Sequence, residues 1–167
     1  KPTPVGTITA EAMEQVIGPR TRLVGMTHIS NLLGTLNDVK TAAKIAHRSG
    51  ALLLVDGAQA MGHLPVDMQE IGCDLYVGSG HKMFGPTGIG FLYGSRDLLE
   101  SFEPFQGGGD MIEDVHFDHS TYAALPARLE AGTPNMAGAV GWGAALAFLE
   151  TVGMEKVARH DRALMDY

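Results

Sequence analysis

A short apolar run at residues 51–55, Ala-Leu-Leu-Leu-Val, constrains the fold of this chain most strongly. Consecutive apolar residues without a polar alternate are typical of a strand that is covered on both faces, as in a parallel sheet. Asp38 is the predicted N-cap of a helix that precedes the run, and residues 22–27 predict a strand before that helix. The order strand, helix, strand predicts an α/β fold, whose ligands gather at the carboxyl ends of the strands.

Residues 74–94 form the chemically richest stretch, D-L-Y-V-G-S-G-H-K-M-F-G-P-T-G-I-G-F-L-Y-G. Residues 74–77 and 89–93 predict two further strands, and the glycines between them predict tight turns. Lys82 is therefore expected on a turn at the end of a strand. A partly desolvated lysine loses its proton more easily, and a neutral amine can attack a carbonyl. The functional hypothesis is a Schiff-base lysine, and the structural alternative is a lysine on an exposed glycine-rich loop.

Length and composition narrow the class of protein. The chain has 167 residues, of which 45% are hydrophobic, so we expect a single domain over residues 1–167 with a substantial core. The net charge of −7 and the lack of a basic patch argue against a nucleic-acid-binding protein. Cys73 is the single cysteine, which excludes an internal disulfide and a C-x-x-C metal site. Because no apolar run approaches a membrane span and K-P-T-P-V-G does not resemble a signal peptide, we expect a cytoplasmic protein.

Polar residues follow the predicted strands in a set that suits pyridoxal phosphate. The set contains Asn31, Asp56, Gln59, Ser79, His81 and Lys82. The cofactor's aldehyde needs a lysine to form an imine, and its pyridine nitrogen needs a carboxylate that keeps the ring protonated. Its phosphate needs hydroxyl, imidazole and backbone N–H donors, which a glycine-rich turn provides. Each residue also has a structural alternative: Asp56 as a turn former, Gln59 as a helix start, and Ser79 and His81 as locally bonded groups.

Three other kinds of functional site have less support in the sequence than a pyridoxal-phosphate site. Asp114, His116 and Asp118 could share one face of an extended arm over residues 111–117 and its continuation, with His119 beside them, and such runs can bind zinc. A dinucleotide site is disfavoured because no G-x-G-x-x-G follows the first predicted strand. Cys73 precedes a predicted strand and has the surroundings of an ordinary packed thiol rather than of a nucleophile.

Four segments resemble a known family: V-D-G-A-Q, S-G-H-K-M-F-G-P-T-G-I-G-F-L-Y-G, G-G-G-D-M-I and E-A-G-T-P-N. They are similar to the class V pyridoxal-phosphate enzymes, and within that class to the Suf-type (group II) cysteine desulfurases and selenocysteine lyases. The other desulfurase group usually carries Lys where this chain has Thr87. The resemblance implies a fold-type I α/β large domain with a mostly parallel sheet and flanking helices.

The resemblance also implies roles for individual residues. Lys82 would carry the cofactor and transfer protons, Asp56 would pair with the pyridine nitrogen, and Gln59 would bond the ring hydroxyl. Ser79 and His81 would hold the phosphate, and Asn31 would lie near the ring and the substrate carboxylate. Thr133, the predicted N-cap of a helix over residues 135–152, would reach the partner's phosphate in a homodimer.

The implied reaction converts L-cysteine to L-alanine and leaves sulfur as an enzyme persulfide, for transfer to a Suf-type acceptor in iron–sulfur cluster assembly. Lys1 is not an initiating Met and Tyr167 ends inside a helical pattern, so we expect a piece of a longer protein. The family's ring-stacking residue is expected before Lys1, and its persulfide cysteine and carboxylate-binding arginine in a small domain after Tyr167. The alternatives are a selenocysteine lyase, another class V aminotransferase-like enzyme, or an isolated fragment without activity.

Overall fold

A four-stranded sheet forms the centre of the fold in the computed structural model, which describes residues 2–167. Its strands are β1 (Leu23–Thr27), β2 (Leu52–Asp56), β3 (Leu75–Ser79) and β4 (Gly90–Gly94), in the order β1-β2-β3-β4. β1 pairs with β2, and β2 with β3, in parallel register. The predicted α/β fold with a mostly parallel sheet is therefore confirmed.

Six α-helices accompany these strands along the described part of the chain. They are α1 (Ala10–Glu14), α2 (Val39–Arg48), α3 (Met68–Ile71), α4 (Arg96–Glu100), α5 (Met136–Val152) and α6 (Met154–Asp166). Two of them, α2 and α3, connect strands of the sheet. Within residues 2–167 no single helix is long and apolar enough to cross a membrane. Taken together, α5 and α6 reach the length and composition of a span, but they bend by 75° where they meet.

Short polar side chains begin the first two helices, and the predicted cap at Asp38 is confirmed. The Thr9 hydroxyl accepts the Ala12 N–H at 3.2 Å, and the Asp38 carboxylate accepts the Thr41 N–H at 2.9 Å. The hydroxyl and backbone N–H of Thr41 both bond this carboxylate and hold the pKa of Asp38 below its usual value. These caps satisfy N–H groups that the first helical turn leaves without partners.

Two compact units make up the described chain. The first contains the residues up to Tyr93 together with Gly138–Tyr167, and the second contains Gly94–Ala137. The second unit holds α4 and an antiparallel hairpin of β5 (Ile112–Val115) and β6 (Ser120–Tyr122), which confirms the predicted extended arm. The single domain over residues 1–167 stays a prediction.

The main core of the first unit lies between the sheet and α2. Leu53 and Val55 of β2 are fully buried, whereas the alternate residues Leu52 and Leu54 are only partly buried. The apolar run predicted a strand covered on both faces, and in the structure one face of β2 is fully buried and the other only partly. A second cluster joins Trp142 of α5 to other apolar side chains of this unit.

Gly57 provides a test of how tightly the end of β2 packs. A Cβ at this position would lie 1.9–2.1 Å from the ring and hydroxyl of Tyr76, which is fully buried. We expect Gly57→Ala to lower the free energy of unfolding by about 1–3 kcal/mol in urea titrations of the full-length protein. Gly25→Ala in β1 is the matched control, because no atom lies within 4 Å of its added Cβ. Equal urea midpoints for the two variants would contradict this packing.

Candidate functional site at the carboxyl ends of the strands

β1 and β2 end level with each other, and β3 continues for two residues past them. Asp56, the last residue of β2, is in register with Thr27 on one side and Val77 on the other. The pairing continues past the strand, because the His28 N–H donates to the Asp56 carbonyl at 2.8 Å and the Gly57 N–H donates to the Val77 carbonyl at 2.9 Å. The backbone on either side of the Asp56 carboxylate is therefore fixed at this edge.

Lys82 lies directly after β3, on a short 3₁₀ helix that spans Gly80–Met83. The Gly80 N–H donates to the Ile89 carbonyl, and a Cβ on Gly80 would lie 2.8 Å from the Ile89 side chain. Glycine is thus required for this close turn. Lys82 itself is half-buried, and its Nζ lies 3.4 Å from Oδ1 of Asn31, which follows β1. The structure brings these two predicted site residues together.

Ser79 and His81 form a second pair at the same edge. The Ser79 Oγ lies 2.9 Å from Nδ1 of His81, so each group has the local partner that the structural alternative predicted. Ser79 is partly buried and ends β3, whereas His81 is exposed on the 3₁₀ helix. A hydroxyl and an imidazole therefore stand side by side next to Lys82, and both can donate hydrogen bonds to an anion.

The Asp56 side chain is exposed at the end of its strand. Its Oδ1 accepts the Ala58 N–H at 3.0 Å, which is the turn-forming bond of the structural alternative. A carboxylate has two oxygens and about four lone-pair sites, so this single bond leaves acceptor capacity for a ligand. The geometry is compatible with both interpretations of Asp56.

Gln59 belongs to a chain of polar contacts that sequence patterns did not reveal. Its Nε2 lies 3.4 Å from Nε2 of His63, and Nδ1 of His63 lies 2.7 Å from Oδ2 of Asp161 in α6. These three side chains and Asn31 line a cavity of about 590 Å³. The spacing of Gln59 and His63, four residues apart, was the available signal, but nothing local points to Asp161.

A buried His28–Tyr76 pair supports the site from inside the sheet. Nδ1 of His28 lies 2.9 Å from the Tyr76 hydroxyl, and the Tyr76 ring packs against Gly57. Burial lowers the pKa of His28 and raises the pKa of Tyr76, so both rings stay neutral near pH 7. The pair ties β3 to the residue after β1 on either side of β2. No local sequence pattern indicates this pair.

Thr133 belongs to the second unit and is exposed. The prediction that it is the N-cap of the long helix is wrong, because α5 begins only at Met136. The Pro134 carbonyl accepts the Met136 N–H at 2.8 Å, and α5 begins two residues later than a cap at Thr133 requires. Thr133 therefore does not cap α5.

In the hairpin, three of the four candidate zinc ligands, His116, Asp118 and His119, contact one another. The rings of His116 and His119 stack at 4.5 Å, and Oδ1 of Asp118 bonds Nδ1 of His119 at 2.8 Å. Among residues 2–167, no three or more His, Cys, Asp or Glu side chains are grouped so that they could hold a metal ion. The structure does not support the zinc hypothesis for this arm.

Comparisons with known proteins agree with one another. A profile of the family described as aminotransferase class-V matches residues 1–167. A probable cysteine desulfurase of Halalkalibacterium halodurans is 51% identical over 97% of this chain and 40% of its own length. A cysteine desulfurase structure from Thermococcus onnurineus has a TM-score of 0.90 at 38% identity, over 96% of this chain and 40% of that one. One from Escherichia coli has a TM-score of 0.84 at 43% identity, over 88% and 37%. The chain thus spans about two fifths of the length of these relatives.

Proposed function

We infer that the full-length protein is a cysteine desulfurase, because this chain belongs to the aminotransferase class-V family and its relatives carry that name. The observation that carries the inference is the position of Lys82. Its amine lies 3.4 Å from Asn31, at the sheet edge where the Asp56 carboxylate ends β2. In the proposed reaction the C–S bond of L-cysteine breaks, L-alanine leaves, and the sulfur stays on an enzyme thiol as a persulfide.

The residues at this edge fit pyridoxal phosphate as the cofactor. Lys82 supplies a primary amine for its aldehyde, and Asp56 supplies a carboxylate for its pyridine nitrogen. The Ser79–His81 pair, with its Oγ and Nδ1 2.9 Å apart, supplies a hydroxyl and an imidazole, each of which could donate to its phosphate in place of their mutual bond. When bound, pyridoxal phosphate supplies an electron sink that stabilises negative charge at the α-carbon of the substrate.

Each predicted site residue would then have its own role in the reaction. Lys82 would hold the cofactor through its amine, and its Nζ would move a proton to or from the substrate carbon. Asp56 holds a proton at the pyridine nitrogen, because a carboxylate favours the charged form of a nearby base. Gln59 would bond the ring hydroxyl, and Asn31 would lie near the ring and the substrate carboxylate.

Cys73 is poorly suited to accept the sulfur of the substrate. Its side chain is only 8% exposed, and burial raises the pKa of its thiol. Since the thiolate is the reactive form, a buried neutral thiol is a weak nucleophile. We therefore propose that the persulfide forms on a cysteine outside residues 1–167.

The function is tested by supplying the full-length protein with pyridoxal phosphate, L-cysteine and a thiol reductant. Alanine and sulfide should form in equal amounts, well above the rate of free pyridoxal phosphate. Cys73→Ala should change the rate by less than about twofold, because Cys73 takes no part in the chemistry. Alanine formation no faster than with the free cofactor would refute the function, and a strong preference for L-selenocysteine would favour the lyase alternative.

We also propose that the protein belongs to the Suf-type group, delivers sulfur to a Suf-type acceptor and works as a homodimer. The support is the S-G-H-K segment followed by G-P-T-G-I-G, together with E-A-G-T-P-N before α5. The cytoplasmic location likewise stays a prediction from the sequence.

Mixed dimers of the full-length protein test whether Thr133 reaches the partner's site. One subunit carries Thr133→Ala and the other carries Lys82→Ala. If Thr133 acts across the interface, both defects fall in one site and the other site stays intact. The mixed dimer should then bind about half the wild-type amount of cofactor at wild-type affinity. Each site carries one defect if Thr133 acts within its own subunit, and a mixed dimer without any wild-type-affinity site would therefore contradict the proposal.

A further inference from the structure

Asp161 and His63 form a hydrogen-bonded pair beside the proposed cofactor site. Nδ1 of His63 lies 2.7 Å from Oδ2 of Asp161, although the two residues are 98 positions apart. The side chains of His63 and Asp161 are 45% and 38% exposed. A contact this short between partly buried groups is stronger than a typical surface pair, because a charged acceptor shortens and strengthens a hydrogen bond.

The Asp161 carboxylate determines which nitrogen of His63 carries hydrogen. A carboxylate only accepts hydrogen bonds, so Nδ1 must donate to it. In a neutral imidazole with hydrogen on Nδ1, Nε2 has a free lone pair and accepts. Nε2 is the atom that faces Gln59, at 3.4 Å from the Gln59 amide nitrogen. When the His63 imidazole is neutral, the amide nitrogen therefore donates to its Nε2.

This donation determines the orientation of the Gln59 amide. An amide whose nitrogen is bonded to His63 cannot rotate by 180° without placing its oxygen against a lone pair. Without the bond, the oxygen and the NH₂ group could exchange places at little cost. Gln59 and His63 both line the cavity of about 590 Å³, so the orientation of the amide decides which polar atoms face that space.

We propose that His63 and Asp161 are positioning residues, which fix the orientation of the Gln59 amide against the ring oxygen of the cofactor. The inference rests on the proposed function, because the ligand of Gln59 is the proposed pyridoxal phosphate. His63 and Asp161 act through Gln59 and do not touch the ring. The His63–Asp161 hydrogen bond also joins the proposed cofactor site to α6, which spans Met154–Asp166.

The test is a double-mutant cycle in the full-length protein with Gln59→Ala, Asp161→Ala and the double variant. The dissociation constant of pyridoxal phosphate is measured by titrating the cofactor-free protein. Asp161→Ala should raise it by about two- to tenfold, the range for one lost hydrogen bond. The same change should have almost no effect when Gln59 is already alanine, since coupled residues are non-additive. Asp166→Ala, on an exposed position of α6, is the matched control and should not change the constant.

Two further measurements separate positioning from a structural role. Asp161→Asn keeps an oxygen that accepts from Nδ1, so it should restore the cofactor's dissociation constant and visible absorbance maximum to near wild type. In the cofactor-free protein, ¹⁵N shifts of the His63 ring should show hydrogen on Nδ1 in wild type and lose this preference in Asp161→Ala.

The outcomes distinguish this inference from the proposed function. An effect of Gln59→Ala together with an additive or absent effect of Asp161→Ala would overturn the positioning role alone. No effect of Gln59→Ala on the constant or the absorbance would remove the proposed ligand of Gln59, and the inference with it. An unchanged His63 tautomer in Asp161→Ala would also overturn the inference, whatever the activity.

Discussion

Full-length protein with Lys82→Ala is expected to lose about four orders of magnitude or more in kcat/KM for L-cysteine. The proposed mechanism uses the Lys82 amine twice, first to bind the cofactor and then to move a proton, and an alanine methyl can do neither. Lys82 is partly buried after the end of β3, its amine lies 3.4 Å from Asn31, and close-packed glycines shape the turn around it. Alanine production at saturating pyridoxal phosphate measures the loss.

Two controls show whether the loss belongs to the amine at this position. Lys82→Arg keeps the positive charge and most of the length, but a guanidinium does not deprotonate, so it should be as inactive as Lys82→Ala. Lys40→Ala removes a surface lysine that bonds Glu70 at 3.0 Å, and it should retain wild-type activity. After borohydride reduction of the cofactor-loaded protein, the modified peptide should contain Lys82. A label on Lys40, Lys44 or Lys156 would assign the cofactor to another lysine.

Local patterns predicted the elements that hold this site. The apolar run before Asp56 predicted β2, and the cap at Asp38 predicted the start of α2. Such signals extend over a few residues, so the sequence alone shows them. Asn31, Asp56 and Lys82 could be grouped because parallel neighbouring strands end at one edge of a sheet.

Contacts between residues far apart in the sequence could not be predicted, because no local pattern indicates them. Asp161 reaches His63 across 98 positions of sequence, and Tyr76 reaches His28 across 48. The sequence around each residue gives no sign of its partner, and only the tertiary fold brings the two together. Thr133 illustrates the opposite error, because a local pattern predicted a cap and a single turn at Pro134 moved the helix start.

The charge of Asp56 is the second requirement of the proposed mechanism. Asp56→Asn keeps the size of the side chain and an oxygen that can accept the Ala58 N–H, which Asp56 Oδ1 accepts at 3.0 Å. Removing the charge should therefore leave the urea midpoint of the full-length protein within experimental error of wild type. The same change leaves a protonated pyridine without its charged partner, so the electron sink weakens.

We accordingly expect Asp56→Asn to lower kcat by about two to four orders of magnitude while the protein stays folded and binds cofactor. Steady-state alanine production gives kcat, and the visible spectrum reports bound cofactor. Asp38→Asn is the matched control: it neutralises the helix-capping carboxylate of α2, so it should lower stability by about 1 kcal/mol or less and leave kcat unchanged. A deficit that vanishes at saturating pyridoxal phosphate would make Asp56 a binding residue only. Near-normal kcat in Asp56→Asn would contradict the catalytic role. Asp56 would then only form the turn, through its bond to the Ala58 N–H.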